Sequence, residues 1–215
     1  QGMQYALQQG VKVINMSLGG GYSTLIAQQV QALKTAGRVL VAAAGNDDTD
    51  DTTDAFPGAD PNTALRVMAT EQHDCRAYFS NFSPAANPTL YNIAAPGWNI
   101  PSTTPDTGFA YFSGTSMASP VVAGSAALVW GQLPNLTRDQ LVSQLLNKGK
   151  TITCGFAAPT QRVDVRRAIT GLPETVLLGR LLDPFTGKAP SVNTLPANAW
   201  VSPATDTTDR GGFYE

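Results

Sequence analysis

The sequence predicts an α/β fold in which helices cover both faces of a parallel sheet. Short apolar runs alternate with segments of helical period, and that order is typical of strand–helix units. The runs are apolar at nearly every position rather than at every second one, as expected of strands buried on both faces. One helical segment, residues 116–131, is apolar nearly all round, which predicts that it lies buried in the centre of the fold.

Four strands are predicted in chain order. Residues 11–16 form an apolar run that continues into a glycine-rich loop, and residues 38–44 form a second run that ends in a Gly-Asn pair. Residues 65–70 precede a polar stretch, and residues 91–94 precede an Ala-Pro-Gly turn.

The predicted helices carry start signals or apolar periods. Ser23 is an N-cap candidate for a helix over residues 25–35, whose apolar residues recur at helical spacing. Thr137 and Gln140 stand in capping-box spacing at the start of a later helix. A last short helix over residues 163–169 closes the main domain, which we assign to residues 1–171.

The character of the chain changes after Gly171. Residues 172–215 read as a linker followed by short strands and turns, which predicts a β-rich carboxyl-terminal segment. A plain β-rich linker is the alternative to a piece of a β-sandwich domain.

Composition excludes several classes of partner. The 215 residues are 42% hydrophobic, enough for one sizeable core. The net charge is −2 and there is no basic run, so nothing favours nucleic-acid binding. No apolar stretch reaches membrane-spanning length. We therefore expect neither nucleic acid nor a membrane as a partner.

The two cysteines, Cys75 and Cys154, have no metal-site spacing. They either pair in an oxidising compartment or are two unrelated thiols, and the sequence by itself leaves this open.

Ser116 is the strongest candidate for a reactive residue. It lies between small residues within residues 112–120, at the start of the apolar helix. Small neighbours leave a hydroxyl accessible, and a helix N-terminus offers unpaired N–H groups to an anion that forms there. A serine nucleophile in acyl transfer needs that setting. An ordinary serine N-cap is the alternative.

Three segments in this order resemble the subtilase family of serine proteases. They are residues 13–20, residues 39–46 and residues 112–120. Residues 56–58, 77–83 and 95–97 add to the resemblance, which runs from Tyr5 to about Thr170. It implies a subtilisin-like sheet that is incomplete in this chain.

The resemblance implies a catalytic pair. Ser116 would be the nucleophile, and Asn46 would donate its amide N–H to the oxyanion beside the backbone N–H of Ser116. A turn-forming Gly-Asn pair at a strand end is the alternative for Asn46. The same resemblance predicts a cis peptide bond between Phe56 and Pro57, an aromatic residue followed by proline.

The resemblance also implies residues that bind a polypeptide substrate. Ser17, Leu18 and Gly19 would form a strand that pairs with an extended peptide. Ala43, Ala44 and Gly45 would form the other wall of the pocket before the scissile bond, with Ala55 near its floor. Ordinary loop chemistry is the alternative for Ser17 and Gly19.

Two triad residues of the family have no counterpart in this sequence. Subtilases place an aspartate and then a histidine before the serine, and both motifs would lie upstream of Tyr5. Residues 1–10 read as the second half of an amphipathic helix. We therefore interpret the chain as the carboxyl-terminal part of a catalytic domain, a fragment that is inactive without the missing N-terminal part. The single histidine, His73, is interpreted as a solvated loop residue.

The implied activity is that of a secreted serine endopeptidase that works through a Ser116 acyl-enzyme. A pseudoprotease that binds peptides without cleaving them, and more weakly an esterase, are the alternatives. The resemblance implies no cofactor for the chemistry and allows calcium as a structural ion. Five aspartates between residues 47 and 54 favour a solvated acidic loop over a calcium site, and Asn92 stands where the family often has a calcium-binding carboxylate.

Residues 172–215 are similar to the first strands of a carboxypeptidase regulatory-like β-domain. This resemblance implies an accessory module after the catalytic domain.

Overall fold

A six-stranded sheet forms the centre of the fold. The computed structural model describes residues 1–105 and 108–171, and Gln1–Thr170 forms one compact unit. The strands in chain order are β1 Val13–Met16, β2 Val39–Ala43, β3 Leu65–Thr70, β4 Ile93–Pro96, β5 Ile100–Thr103, β6 Phe109–Phe112, β7 Lys150–Ile152 and β8 Thr160–Arg162.

The order of strands across the sheet is β1-β2-β3-β4-β8-β7. Strands β1 to β4 and β8 run parallel, and β7 joins β8 in antiparallel pairing. Strands β5 and β6 form a separate antiparallel pair just before the serine motif. The predicted parallel sheet is therefore confirmed, with an antiparallel edge that the sequence patterns did not predict.

Helices cover both faces of the sheet, as predicted. They are α1 Gly2–Gln8, α2 Thr24–Thr35, α3 Thr115–Gln132, α4 Arg138–Asn147 and α5 Val165–Thr170. Alternate residues of β2 pack against different helices: Val39 and Val41 lie in the core with α3, whereas Leu40 lies in the cluster with α2. Each side of the sheet therefore has its own apolar core, which explains why β2 is buried at every position.

The predicted boundaries agree with the structure where local signals are strong. Strand β3 has the predicted bounds, and the Ser23 hydroxyl accepts a hydrogen bond from the N–H of Ile26 at 3.4 Å. The capping box of Thr137 and Gln140 is present in both directions. Strand β4 instead begins two residues later than predicted, because Asn92 turns its side chain to the backbone at the start of β3.

Helix α3 is only partly central, which corrects the expectation that it is buried all round. Its core-facing line includes Ala118, Val122 and Val129, all fully buried. The opposite line is exposed and consists of Pro120, Val121, Gly124, Ala127, Leu128 and Gly131. Leu128 is 52% exposed. Within the described residues this apolar line has nothing packed over it.

Cys75 and Cys154 form a disulfide that joins residues 79 apart. This decides the alternative that the sequence left open. The backbone N–H of Arg76 donates to the carbonyl of Cys154 at 2.9 Å, so the two loops are also held together by the main chain.

The peptide bond between Phe56 and Pro57 is cis, which confirms the prediction made from the sequence.

None of the helices in the described residues is long and apolar enough to span a membrane. The predicted β-rich segment, residues 172–215, lies outside the residues that the structure describes.

Candidate active site

The N-terminus of α3 brings together the ends of two parallel strands. Ser116 is the second residue of α3, and Gly114 is its N-cap. The chain leaving β1 reaches Ser17 beside Ser116, and the chain leaving β2 reaches Asn46 beside Thr115. The two predicted catalytic residues, Ser116 and Asn46, thus meet at the carboxyl edge of the sheet, where ligands bind in open α/β folds.

Ser116 and Ser17 are linked by two hydrogen bonds. The Ser116 hydroxyl donates to the Ser17 carbonyl at 3.3 Å, and the Ser17 hydroxyl donates to the Ser116 carbonyl at 2.7 Å. The pair fixes the first turn of α3 against the end of β1. Ser116 remains partly exposed, so its hydroxyl is accessible to a substrate.

The amide of Asn46 is held in one orientation by Thr115. The Asn46 Oδ1 atom accepts from the backbone N–H of Thr115 at 2.8 Å and from the Thr115 hydroxyl at 3.0 Å. With the oxygen engaged, the Asn46 Nδ2 group makes no hydrogen bond to another protein group among the described residues, so its N–H bonds are available to a ligand. The sequence argument missed Thr115, whose signal was only that it stands next to Ser116.

Gly114 leaves the space between two donors open. A Cβ atom on Gly114 would lie 3.6 Å from the Asn46 Nδ2 atom and 3.6 Å from the backbone nitrogen of Ser116. These are the two groups that would have to bind an oxyanion, and the same Cβ would lie 3.7 Å from the Asn46 Oδ1 atom, so both donors lie close to Gly114. The arrangement can therefore stabilise negative charge on a carbonyl oxygen beside the Ser116 hydroxyl.

A second polar network supports the serine from behind. The Ser119 hydroxyl, fully buried one turn after Ser116, donates to Asn15 Oδ1 at 2.6 Å. The Asn15 amide then donates to the Ser17 hydroxyl at 3.0 Å. Sequence reasoning missed Asn15 and Ser119. The available signal was a polar residue inside an apolar strand, which the period of the strand does not explain.

The segment predicted to pair with a peptide follows β1 and is not paired with another strand in the described residues. Strand β1 ends at Met16, and Ser17, Leu18 and Gly19 follow it with no ladder partner among the described residues. Leu18 is 54% exposed. The backbone next pairs at residue 20, which bridges antiparallel to residue 56. A strand there needs a peptide as its partner, so the pairing of these residues with a substrate stays a prediction.

The predicted pocket walls are small and closely packed. Ala43, Ala44 and Ala55 are at most 5% exposed, so their methyl groups face the core. Gly45 is partly exposed and lies nearest the active-site opening. A Cβ on Gly19 would lie 2.9 Å from the carbonyl oxygen of Asp54 and 3.9 Å from the Cα atom of Ala55, so Gly19 lies against the predicted floor of the pocket.

A separate cavity of about 400 Å³ lies between the segment of residues 88–92, the end of α4, strands β7 and β8 and Arg167 of α5, and its lining includes none of the predicted catalytic or substrate-binding residues.

His73 is placed as a surface residue. Its side chain is 73% exposed, and its Nδ1 atom lies 3.1 Å from the Glu71 carboxylate. Burial raises the pKa of Glu71, but hydrogen bonds from His73 and from the N–H of Cys75 outweigh this effect and hold that pKa below its ordinary value. No hydrogen bond joins His73 to Ser116 in the described region, where the Ser116 hydroxyl donates to Ser17 instead.

The residues considered for calcium do not gather into a cation site. The carboxylate of Asp48 pairs with Arg76 at 2.7 Å, and that of Asp51 accepts from Thr53. Asn92 uses both ends of its amide on backbone groups, donating to Ala64 and accepting from Arg66. Within residues 1–105 and 108–171, no three acidic, histidine or cysteine side chains are grouped to hold a metal ion.

Residues 1–167 match the model of the subtilase family. The alkaline elastase YaB of Bacillus sp. (strain YaB) is 39% identical over 148 residues, which are 68% of this chain and 37% of the elastase. Subtilisin DY of Bacillus licheniformis is 38% identical over 158 residues, or 72% of this chain and 56% of that protein. The chain thus spans about half or less of these relatives.

The crystal structure of a cold adapted subtilisin-like serine proteinase superposes with a TM-score of 0.66 at 34% identity, over 74% of this chain and 57% of that one. The comparisons give no support to the carboxypeptidase regulatory-like assignment of residues 172–215.

Proposed function

The chain belongs to the subtilase family, and from that premise we propose that it is the carboxyl-terminal part of a serine endopeptidase whose nucleophile is Ser116. The observation that carries the proposal is that the backbone nitrogen of Ser116 and the Asn46 Nδ2 atom each lie 3.6 Å from one point, the position of a Cβ atom on Gly114. Two donors close together beside a serine hydroxyl match the needs of acyl transfer.

In the proposed reaction the Ser116 oxygen attacks the carbonyl carbon of a peptide bond while a base removes its proton. The carbonyl oxygen becomes negatively charged and receives N–H bonds from Ser116 and Asn46. Collapse of the tetrahedral intermediate expels the amine, which takes a proton, and leaves an acyl-enzyme on Ser116. Water then releases the acid by the same steps. The chemistry requires no cofactor.

The proposed base and the carboxylate that orients it lie on a polypeptide segment outside these 215 residues. Two features support such a partner. The outer edge of β1 has no paired strand in the described part of the chain, and the line on α3 that includes Val121 and Leu128 is apolar and uncovered. A segment that adds a strand to β1 and packs on α3 would stand directly over Ser116 and Ser17.

The proposed substrate is a polypeptide in extended conformation. The open main chain of Ser17, Leu18 and Gly19 offers backbone hydrogen bonds to a peptide of any sequence, and Gly45 bounds the opposite side. The disulfide supports an exported protein, because disulfides persist in oxidising compartments.

The test compares the 215-residue chain with the protein that carries the proposed upstream segment. The 215-residue chain should not cleave casein, because without a base only binding and the oxyanion donors remain; in subtilisin itself these leave roughly 10³–10⁴-fold catalysis over water. The longer protein should cleave casein and react at Ser116 with an organophosphorus reagent.

Ser116→Ala should abolish both reactions, and Ser102→Ala, at an exposed serine of β5, is the matched control. Binding of peptides without cleavage or labelling would instead establish the pseudoprotease. Robust Ser116-dependent cleavage by the 215-residue chain would refute the external base.

A further inference from the structure

Asn46 lies in a loop that is held by bonds to other segments rather than by secondary structure: the N–H of Asp48 donates to the carbonyl of Phe79 at 2.9 Å, and Thr115 bonds to the backbone of Gly45. Asn46 is exposed, it follows the end of β2, and residues 46–51 contain no helix or strand. An oxyanion donor acts through preorganisation, so the amide of Asn46 is useful only if the backbone on both sides of it is fixed. Thr115 orients the side-chain oxygen, but it does not hold the loop that follows.

One buried side chain holds the backbone on both sides of Asn46. The Nδ2 group of Asn81 donates to the carbonyl of Ala44 at 3.0 Å, and its Oδ1 atom accepts from the N–H of Asp47 at 2.8 Å. The Oδ1 atom also accepts from Thr49 at 3.4 Å. The Asn81 side chain therefore links the backbone of Ala44, two residues before Asn46, to that of Asp47, one residue after it.

Asn81 is itself firmly placed. It is 1% exposed, and its backbone N–H donates to the carbonyl of Gly45 at 3.0 Å. The neighbouring Ser80 hydroxyl donates to the Asn81 carbonyl at 2.9 Å and accepts from the N–H of Ala69 in β3 at 2.9 Å. Asn81 is thus held, through Ser80, to strand β3 of the central sheet.

The packing around Gly45 fits this arrangement closely. Gly45 has φ +105°, and a Cβ atom there would overlap the Asn81 amide nitrogen. The absence of a side chain at position 45 lets the amide of Asn81 approach the turn. No other side chain within the described residues bonds to the backbone on both sides of Asn46.

We infer that Asn81 is a positioning residue for the oxyanion donor Asn46. The inference deepens the proposed function and rests on it, since the amide of Asn46 has a catalytic purpose only if Ser116 is the nucleophile. Asn81 touches no substrate; it acts by keeping the Asn46 Nδ2 group and the Ser116 N–H aimed at one point.

Asn92 provides a matched control within the same molecule. Its amide also donates to a carbonyl, that of Ala64 at 2.9 Å, and accepts from an N–H, that of Arg66 at 2.8 Å. It does so at the amino end of β3, whereas Asn81 acts at the carboxyl end of β2. Asn81→Ala and Asn92→Ala therefore remove the same kind of bonds at opposite ends of the sheet.

The first measurement is steady-state peptide cleavage by the longer protein. We expect Asn81→Ala to lower kcat by about tenfold or more with KM within about twofold, because displacement of a preorganised group by about 1 Å can cost up to about 10²-fold. Asn92→Ala should leave both constants within about twofold. In the Asn46→Ala background, Asn81→Ala should have no further effect on kcat, because the residue through which it acts is gone.

The second measurement needs no catalysis. Amide hydrogen exchange in the 215-residue chain should show faster exchange at Thr115 in Asn81→Ala, since that N–H donates to Asn46, and unchanged exchange there in Asn92→Ala. If Asn81→Ala does not fold, Asn81→Ser keeps a buried hydroxyl without the two-atom amide and is measured in the same way.

The kinetic and the hydrogen-exchange measurements distinguish failure of this inference from failure of the proposed function. An inactive longer protein would refute the proposed function, while the exchange at Thr115 would still decide whether Asn81 holds Asn46. Unchanged exchange at Thr115, or equal effects of the Asn81 and Asn92 variants on kcat, or an additive loss in the Asn46→Ala background, would overturn the inference.

Discussion

Opening the Cys75–Cys154 disulfide should lower the free energy of unfolding by about 4.5 kcal/mol. The two cysteines are 79 residues apart, so the bond closes a long loop in the unfolded chain. Loop-closure entropy for that length, −2.1 − 1.5R ln n, is roughly −15 cal/mol/K, which gives the stated energy at 25 °C. The effect lies mainly in the unfolded state, because the loops in the folded state stay joined by other bonds.

Those remaining bonds are specific. Arg76 donates its N–H to the carbonyl of Cys154 and its Nε to the carbonyl of Gly155, both at 2.9 Å, and its guanidinium pairs with Asp48 at 2.7 Å. The folded structure should therefore survive the loss of the disulfide with its loops in place. The reduced protein is then expected to be less stable but correctly folded.

The assay is urea unfolding followed by tryptophan fluorescence. With an m-value of about 2 kcal/mol/M, the midpoint should fall by about 2 M in Cys75→Ala, in Cys154→Ala and in the double variant alike, because each opens the same loop. The oxidised parent protein is the reference. A loss below about 1 kcal/mol, or a double variant that loses about the sum of the two single losses, would refute the reasoning.

Three further outcomes are expected. Asn46→Ala should lower kcat of the longer protein by roughly 10²–10³-fold with KM little changed, a magnitude known from subtilisin itself, and an unchanged kcat would contradict its role. Gly58→Ala should lower the urea midpoint well below that of the parent, because a Cβ there would overlap the carbonyl oxygen of Ala43; an unchanged midpoint would argue against that packing. Burial raises the pKa of the Tyr91 phenol from 10.0 to about 12, so the folded protein holds this proton more tightly than the unfolded chain does. The stabilising contribution of the Tyr91 proton is complete below about pH 10 and is lost as the pH rises through about 12. In Tyr91→Phe the free energy of unfolding should therefore fall less steeply over that pH range than in the parent protein, and an equal slope would contradict this.

The features that depend on near neighbours along the chain could be predicted from local sequence. Ser23 and Thr137 cap their helices because each bonds to a residue three positions on. The apolar run of β3 gave the bounds of that strand. The motif around Ser116 and the Gly45-Asn46 pair, together with residues 13–20, predicted the family and the two central residues of the candidate site.

Strands with weak local patterns could not be predicted. β7 and β8 have three residues each and are only partly buried, so they have no clear apolar alternation, and they are strands because they lie beside each other and beside β4. The strand expected over residues 17–19 depends in the same way on a peptide partner, and it stays a prediction. An extended sequence becomes a strand only when a neighbour supplies the hydrogen bonds.

Contacts between residues far apart in the sequence could be found only in the folded structure. Asn15 reaches Ser119 across 104 positions, and Asn81 reaches Ala44 across 37. Neither pair is visible in a hydrophobic period, because a period reports which face of an element is buried and not what lies against that face. Ser116 and Asn46 could therefore be proposed as site residues from the motifs, but the residues that contact them could be found only where the folded chain brings them together.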